Sequence, residues 1–160
     1  MTSTAVALRP MAAADLDVLY PYEQELFGSE SWSREAYEAE LADTELRDYL
    51  VAEAEGALLG SGGLMTIGPT AQILTVAVLP DARRRGVGRL LVRGLVEIAR
   101  RRAAEEVLLE VRVDNDAARG LYDAEGFRPL GTRRGYYEHG RVDALVMRLP
   151  LQAPDEPEAR

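Results

Sequence analysis

The chain contains no cysteine and no lysine, and one histidine, His139. Without cysteine there is no disulfide, no thiolate metal site and no cysteine nucleophile. That absence fits a reducing compartment, and a cytoplasmic location is expected. Without lysine there is no Walker phosphate loop, which needs Gly-Lys-Ser/Thr. The single histidine sits beside Glu138 and Gly140. A metal site would therefore rest on carboxylates alone, no suitable spacing occurs, and no metal is expected. A Ser-His-Asp arrangement lacks its nucleophile elbow. Long hydrophobic runs are missing as well, and nothing approaches the length that spans a bilayer. Residues 1–8 have neither the basic region nor the apolar run of a secretory signal.

What is present is 160 residues with 47% hydrophobic and 29% charged composition. These are the proportions of one soluble globular domain, expected over residues 1–150. Residues 151–160, with two prolines and three acids, are expected to form a disordered tail. The net charge of −8 argues against general nucleic-acid binding. The charge is unevenly spread. Eight arginines lie between Arg83 and Arg102 against one acid, Glu97. Acids crowd the N-terminal part: Glu23, Glu25, Glu30, Glu35, Glu38, Glu40, Asp43 and Glu45. Two partners of opposite sign would explain this, an anionic cofactor and a cationic substrate. Ordinary solvated helix faces would explain it equally.

Hydrophobic spacing gives the element order. Ala5–Pro10 reads as a strand. Met11–Phe27 reads mainly as helix, with Leu16, Leu19, Tyr20, Glu23 and Phe27 at roughly helical spacing and Pro21 placed to bend or split it. Gly28 to Ser31 is a loop, and Ser33 caps a second helix ending near Ala42. Strands follow at Tyr49–Ala52, Leu58–Ile67 and Gln72–Val78. A helix then places Val87, Leu90, Leu91, Gly94, Leu95, Ile98 and Ala99 on one face. In the next strand Val107, Leu109, Val111 and Val113 alternate with Leu108, Glu110 and Arg112. Asn115 caps a short helix, Asp116–Glu125, stopped by Gly126. Phe127–Arg134 is a strand, 135–141 a loop, and Val142–Leu149 a last strand buried on both faces. The order β-α-α-β-β-β-α-β-α-β-β makes one layered α/β (α+β) domain.

Between the strand ending at Val78 and the helix lies Arg83-Arg84-Arg85-Gly86-Val87-Gly88-Arg89. Two glycines let backbone come close to a ligand. The first turn of a helix offers unpaired N–H groups and partial positive charge. Phosphate suits such a place, and arginines add fork-shaped donors. A dinucleotide fingerprint would need a third glycine where Leu91 stands.

The pattern Arg83-x-x-Gly86-x-Gly88 resembles the acyl-CoA pyrophosphate loop of the GCN5-related N-acetyltransferases. The resemblance runs from Ala5 to Leu149, with the RimI-like ribosomal-protein alanine N-acetyltransferases the nearer branch. It is carried by Trp32-Ser33, by Leu109-Glu110-Val111-Arg112 with Asn115, and by Leu121-Tyr122-x-x-x-Gly126-Phe127. Arg133-Arg134-x-Tyr136-Tyr137, Asp143-Ala144 and Met147 complete it. A proline commonly stands before the tryptophan in this branch; here Glu30-Ser31 precede Trp32. The resemblance implies the family's fold, a mixed, mostly antiparallel sheet flanked by helices, and acetyl-CoA as co-substrate. It implies cofactor contacts from Val76, Ala77, Val78, Arg83, Arg84, Arg85, Gly86, Val87, Gly88, Arg89 and Asn115. The backbone of Val76–Val78 would pair with the pantetheine arm, and a bulged amide would face the thioester oxygen.

The same resemblance assigns Glu110 as general base and Tyr122 as general acid. Transfer of acetyl to an amine needs the amine neutral, and a carboxylate can take its proton directly or through water. A tyrosine O–H can serve the leaving thiolate. Other readings stand beside these: a glutamate paired with Arg112 or with an arginine of the last strands, and a tyrosine that packs a helix face. Asn115 is both a cap and a cofactor contact. Trp32, Tyr136 and Tyr137 are candidates for the substrate side, or for packing. The expected acceptor is the N-terminal α-amine of a basic protein, a small-subunit ribosomal protein with alanine first, attacking the thioester directly. A small-molecule amine acceptor, or a CoA-binding module without turnover, are the alternatives. No direct contact with nucleic acid or membrane is expected.

Overall fold

The computed structural model describes residues 5–28 and 31–151, the side chain of His139 apart. Ser29, Glu30 and the tail at 152–160 lie outside the described residues. The elements run β1 (Ala7–Pro10), α1 (Leu16–Phe27), α2 (Arg34–Ala42), β2 (Arg47–Ala54), β3 (Ala57–Ile67) and β4 (Thr70–Val78). They continue with α3 (Val87–Arg101), β5 (Glu106–Arg112), α4 (Asp116–Ala124), β6 (Arg128–Tyr137) and β7 (Val142–Pro150). The seven strands form one sheet in the order β1-β2-β3-β4-β5-β7-β6. Every neighbouring pair is antiparallel except β4 with β5, which is parallel.

α3 is the main core helix. Leu91, Val92, Leu95, Val96 and Ala99 are buried along it, and it packs on β2, β3, β4 and β5. Each fully buried leucine or valine contributes about 1.5–3 kcal/mol. The close fit shows at β3, where a Cβ on Gly60 would meet Leu91 and one on Gly62 would meet Leu95. α4 lies on this same side, with Tyr122 in the α3 core. A smaller cluster of Leu16, Tyr37 and Tyr49 covers the opposite face, beneath α1 and α2. A Cβ on Gly63 would strike the Tyr49 ring, so Gly63 and Ser61 face that second layer. Pro21 sits inside α1, which continues through it.

Two expectations need correction. β6 continues to Tyr137, and only Glu138–Gly140 leaves it, as a tight turn. Val142–Leu149 is not buried on both faces: Ala144 and Met147 are buried and most of its other residues only half-buried. The reason is coverage, since α1 packs on β3 and α2 on β2, leaving β5, β7 and β6 open on that side. Some acids of the N-terminal region are answered within the fold. Asp17 and Glu38 pair with Arg34, and Glu40 and Asp43 with Arg47. Glu23 points inward.

Candidate active site

β4 and β5 pair only over Thr70–Ile73 and Glu106–Leu109. Beyond that point their partners lie on the outer sides: Val76, Ala77 and Val78 pair with β3, and Glu110, Val111 and Arg112 with β7. The two strands therefore part and leave facing backbone edges free. At the parting, the β3–β4 register slips, with Gly63 opposite Thr75 and Leu64 opposite Ile73. Leu74 is the extra residue of a bulge, which bends a strand and turns its peptide groups.

The arginine-glycine loop lies at one end of this opening. A short 3-10 turn, Pro80–Ala82, ends at Arg83 in extended conformation. Arg84 and Gly86 are both left-handed, with φ of 63° and 76°. Gly86 caps α3 with no side-chain hydrogen bond to its first turn, and that turn holds no acid. Its N–H groups are therefore without an intrahelical partner. Among the described residues Arg83, Arg84 and Arg85 form no ion pair, whereas Arg89 shares Glu125 with Arg93. A Cβ on Gly88 would stand 3.1 Å from Leu121 of α4. Uncapped amides and three unpaired guanidinium groups suit a pyrophosphate. The free edge at Val76–Val78 suits an amide-bearing arm.

Glu110 projects from β5 away from the α3 core, on the same face as Ser61 and Ala77. Its side chain is 14% exposed, and Arg133 Nη1 of β6 lies 2.5 Å from Oε1. This is the pairing with an arginine of the last strands, and it brings Glu110 and the Arg133–Tyr137 segment together. Arg133 stacks over Tyr136 at 4.5 Å. Tyr136 and Tyr137 meet edge to face at 4.8 Å. Tyr137 Oη donates to the Glu110 carbonyl at 3.4 Å. The carboxylate raises the Arg133 pKa, chiefly through its hydrogen bond.

Tyr122 comes from the other side of the sheet. It is buried, edge to face with Phe127 at 5.8 Å. Burial, with Tyr137 nearby, pushes its phenol up to about 12, so it is protonated at neutral pH. Asn115 Oδ1 accepts from Ala118 N at 3.1 Å, which makes it the cap the sequence suggests. Trp32 packs on Tyr37 at 5.3 Å, against the second core.

One site residue escaped the sequence reading of chemistry. Glu23, 6% exposed, accepts from Tyr37 Oη at 3.0 Å and Ser61 Oγ at 3.1 Å. Burial holds its carboxyl above the ordinary value of 4.5, while those two bonds pull it down. Its helical spacing with Leu16, Leu19 and Tyr20 was the available signal.

A parted parallel strand pair, a phosphate-suited loop and a carboxylate opposite a tyrosine define an acyl-CoA-dependent transferase. The model of the acetyltransferase (GNAT) family matches residues 16–127, and the chain belongs to that family. It is 37% identical over 148 residues to the N-alpha-acetyltransferase RimI of Mycobacterium tuberculosis, covering 89% of this chain and 91% of the relative. It is 31% identical over 143 residues to the ribosomal protein bS18-alanine N-acetyltransferase of Escherichia coli, covering 88% and 95%. The crystal structure of the Escherichia coli ribosomal-protein-S18-alanine N-acetyltransferase superposes with a TM-score of 0.83 at 28% identity, covering 98% of this chain and all of that one. The chain is an N-acetyltransferase.

Proposed function

We propose that this enzyme acetylates the N-terminal α-amine of a protein, alanine first, on a ribosomal protein of the bS18 kind. The observation that carries this reading is the opening between β4 and β5, with Glu110 on one face and Tyr122 on the other. The names of the relatives from Mycobacterium tuberculosis and Escherichia coli support the acceptor. Acetyl-CoA supplies the acetyl group as a thioester. The amides at the start of α3 and Arg83–Arg85 hold its pyrophosphate, and the free edge at Val76–Val78 takes its arm as an added strand. Glu110 takes a proton from the amine on its face. Tyr122 Oη serves the departing sulfur on the other. The amine attacks the thioester directly, and the chain has no cysteine that could carry the acetyl group instead. An α-amine suits a single carboxylate base, because its ordinary pKa is about two units below that of lysine.

The test compares three acceptors: an Ala-initiated basic peptide, the same peptide N-terminally blocked but carrying a lysine, and an aminoglycoside. Mass spectrometry should place acetyl on the α-amine of the first alone. Modification of the blocked peptide or the aminoglycoside, with none at the free N-terminus, would overturn the reading.

A further inference from the structure

We infer that Glu23 is a binding residue for the acceptor, the anion that holds its primary ammonium group as it enters the β4–β5 opening. This rests on the acceptor reading above and gives the ammonium a counter-charge separate from the proton-taking Glu110.

The first ground is the missing cation. The chain holds nineteen arginines, and Asp15, Glu40, Asp43, Glu106, Glu110 and Glu125 each pair with at least one. Glu23 is less exposed than Asp15, the other buried acid, yet among the described residues no guanidinium reaches it. Its two hydrogen bonds are neutral and both fall on Oε1, so Oε2 is left to accept. Buried charges are ordinarily paired, and Glu23 has only neutral partners among the described residues.

The second ground is position. Ser61, which holds Glu23, pairs with Ala77 of β4, inside the segment whose other edge bounds the opening. Strand alternation puts Ser61, Ala77 and Thr75 on the α1–α2 face, the face from which Glu110 projects. The third ground is a second acceptor there: the Thr75 hydroxyl oxygen is buried with no hydrogen-bond partner. A primary ammonium carries three N–H donors and one positive charge, which answers a lone carboxylate oxygen and a lone hydroxyl together.

The test separates charge recognition from packing. Calorimetry with CoA present compares the Ala-initiated basic peptide with a des-amino analogue that has propionyl in place of alanine. Wild type should favour the amine by on the order of tenfold or more, as for a charge-assisted hydrogen bond. Glu23→Gln is isosteric and keeps the Tyr37 and Ser61 contacts. It should erase that preference and raise the peptide KM by a similar factor, leaving acetyl-CoA affinity and saturated kcat within a few-fold. Equal weakening of both peptides, or an unchanged preference, overturns the proposal. If Glu23→Gln does not fold, Glu23→Asp is read instead: its withdrawn carboxylate must reduce the preference, and an undiminished one overturns the proposal. A wild-type enzyme that neither binds nor acetylates the peptide would bring down the acceptor reading itself, an outcome distinct from either of these.

Discussion

Arg133 Nη1 stands 2.5 Å from Glu110 Oε1, so a guanidinium of the edge strand occupies the carboxylate assigned to the acceptor's proton. Arg133 is more than half exposed, and exposed pairs of this kind contribute little. The two residues should therefore behave differently. Glu110→Gln should lower kcat by roughly 100- to 10,000-fold, the usual contribution of a single acid or base, with acetyl-CoA binding kept. Arg133→Met should change kcat by less than about tenfold. Steady-state kinetics on both variants checks this. Equal losses would make the ion pair, not the base, the important element.

Tyr122→Phe should lower turnover while leaving the Phe127 contact in place. The phenol lies at about 12, so a loss of activity setting in near pH 9 cannot be its titration and should persist in the variant. Stability follows the same sign. A group whose folded value is raised contributes fully below its unfolded value, about 10 for tyrosine, and loses that contribution as pH climbs through the folded one. Thermal unfolding from about pH 9 to 12 should therefore fall less steeply in Tyr122→Phe than in wild type.

Gly86 and Gly88 are needed for different reasons. Gly86 is left-handed at φ 76° with open space around its Cβ position, so Gly86→Ala costs about 1–2 kcal/mol of backbone strain. Gly88→Val would press on Leu121 and Val78. Calorimetry on the double Val variant should show acetyl-CoA binding severely weakened with the fold intact by circular dichroism. Unchanged affinity would remove the loop from the cofactor site.

Glu23 carries an opposite pH signature from Asp15. The Glu23 carboxyl is raised by burial, so its contribution is complete below 4.5 and is lost as pH rises through the folded value. At pH 7 that contribution is diminished, and Glu23→Gln should melt above wild type, the gain closing toward pH 4. Each kcal/mol corresponds to about 2–4 °C in a domain of this size. Asp15 is lowered by its hydrogen bonds from Arg9, so its contribution is present above 3.8 and lost as pH falls. Asp15→Asn should therefore melt below wild type at pH 7. Scanning calorimetry at both pH values checks the pair.

Local chemistry was legible where one residue type has one job. Ser33 and Asn115 cap α2 and α4 through Ala36 N and Ala118 N, as their positions before apolar periodic runs imply. The alternation of Val107, Leu109 and Val111 set Glu110 on the outer face. What stayed hidden depends on contacts between distant segments. An arginine of the last strands is one reading for the partner of Glu110; that it is Arg133, reaching across β7, no spacing reveals. The bulge at Leu74 is a register slip between β3 and β4, invisible in either strand alone. Arg84 adopts a left-handed backbone where glycine would be the expected residue. Glu23 was counted with the surface acids because charge outweighed its apolar neighbours, although its spacing placed it on the buried face.

The opening between β4 and β5 gives access from both sides of a sheet. In the proposed function the acceptor belongs to the α1–α2 side and the cofactor to the α3–α4 side. The sheet would then stand between acceptor and cofactor as a partition, with the β4–β5 parting as its slit.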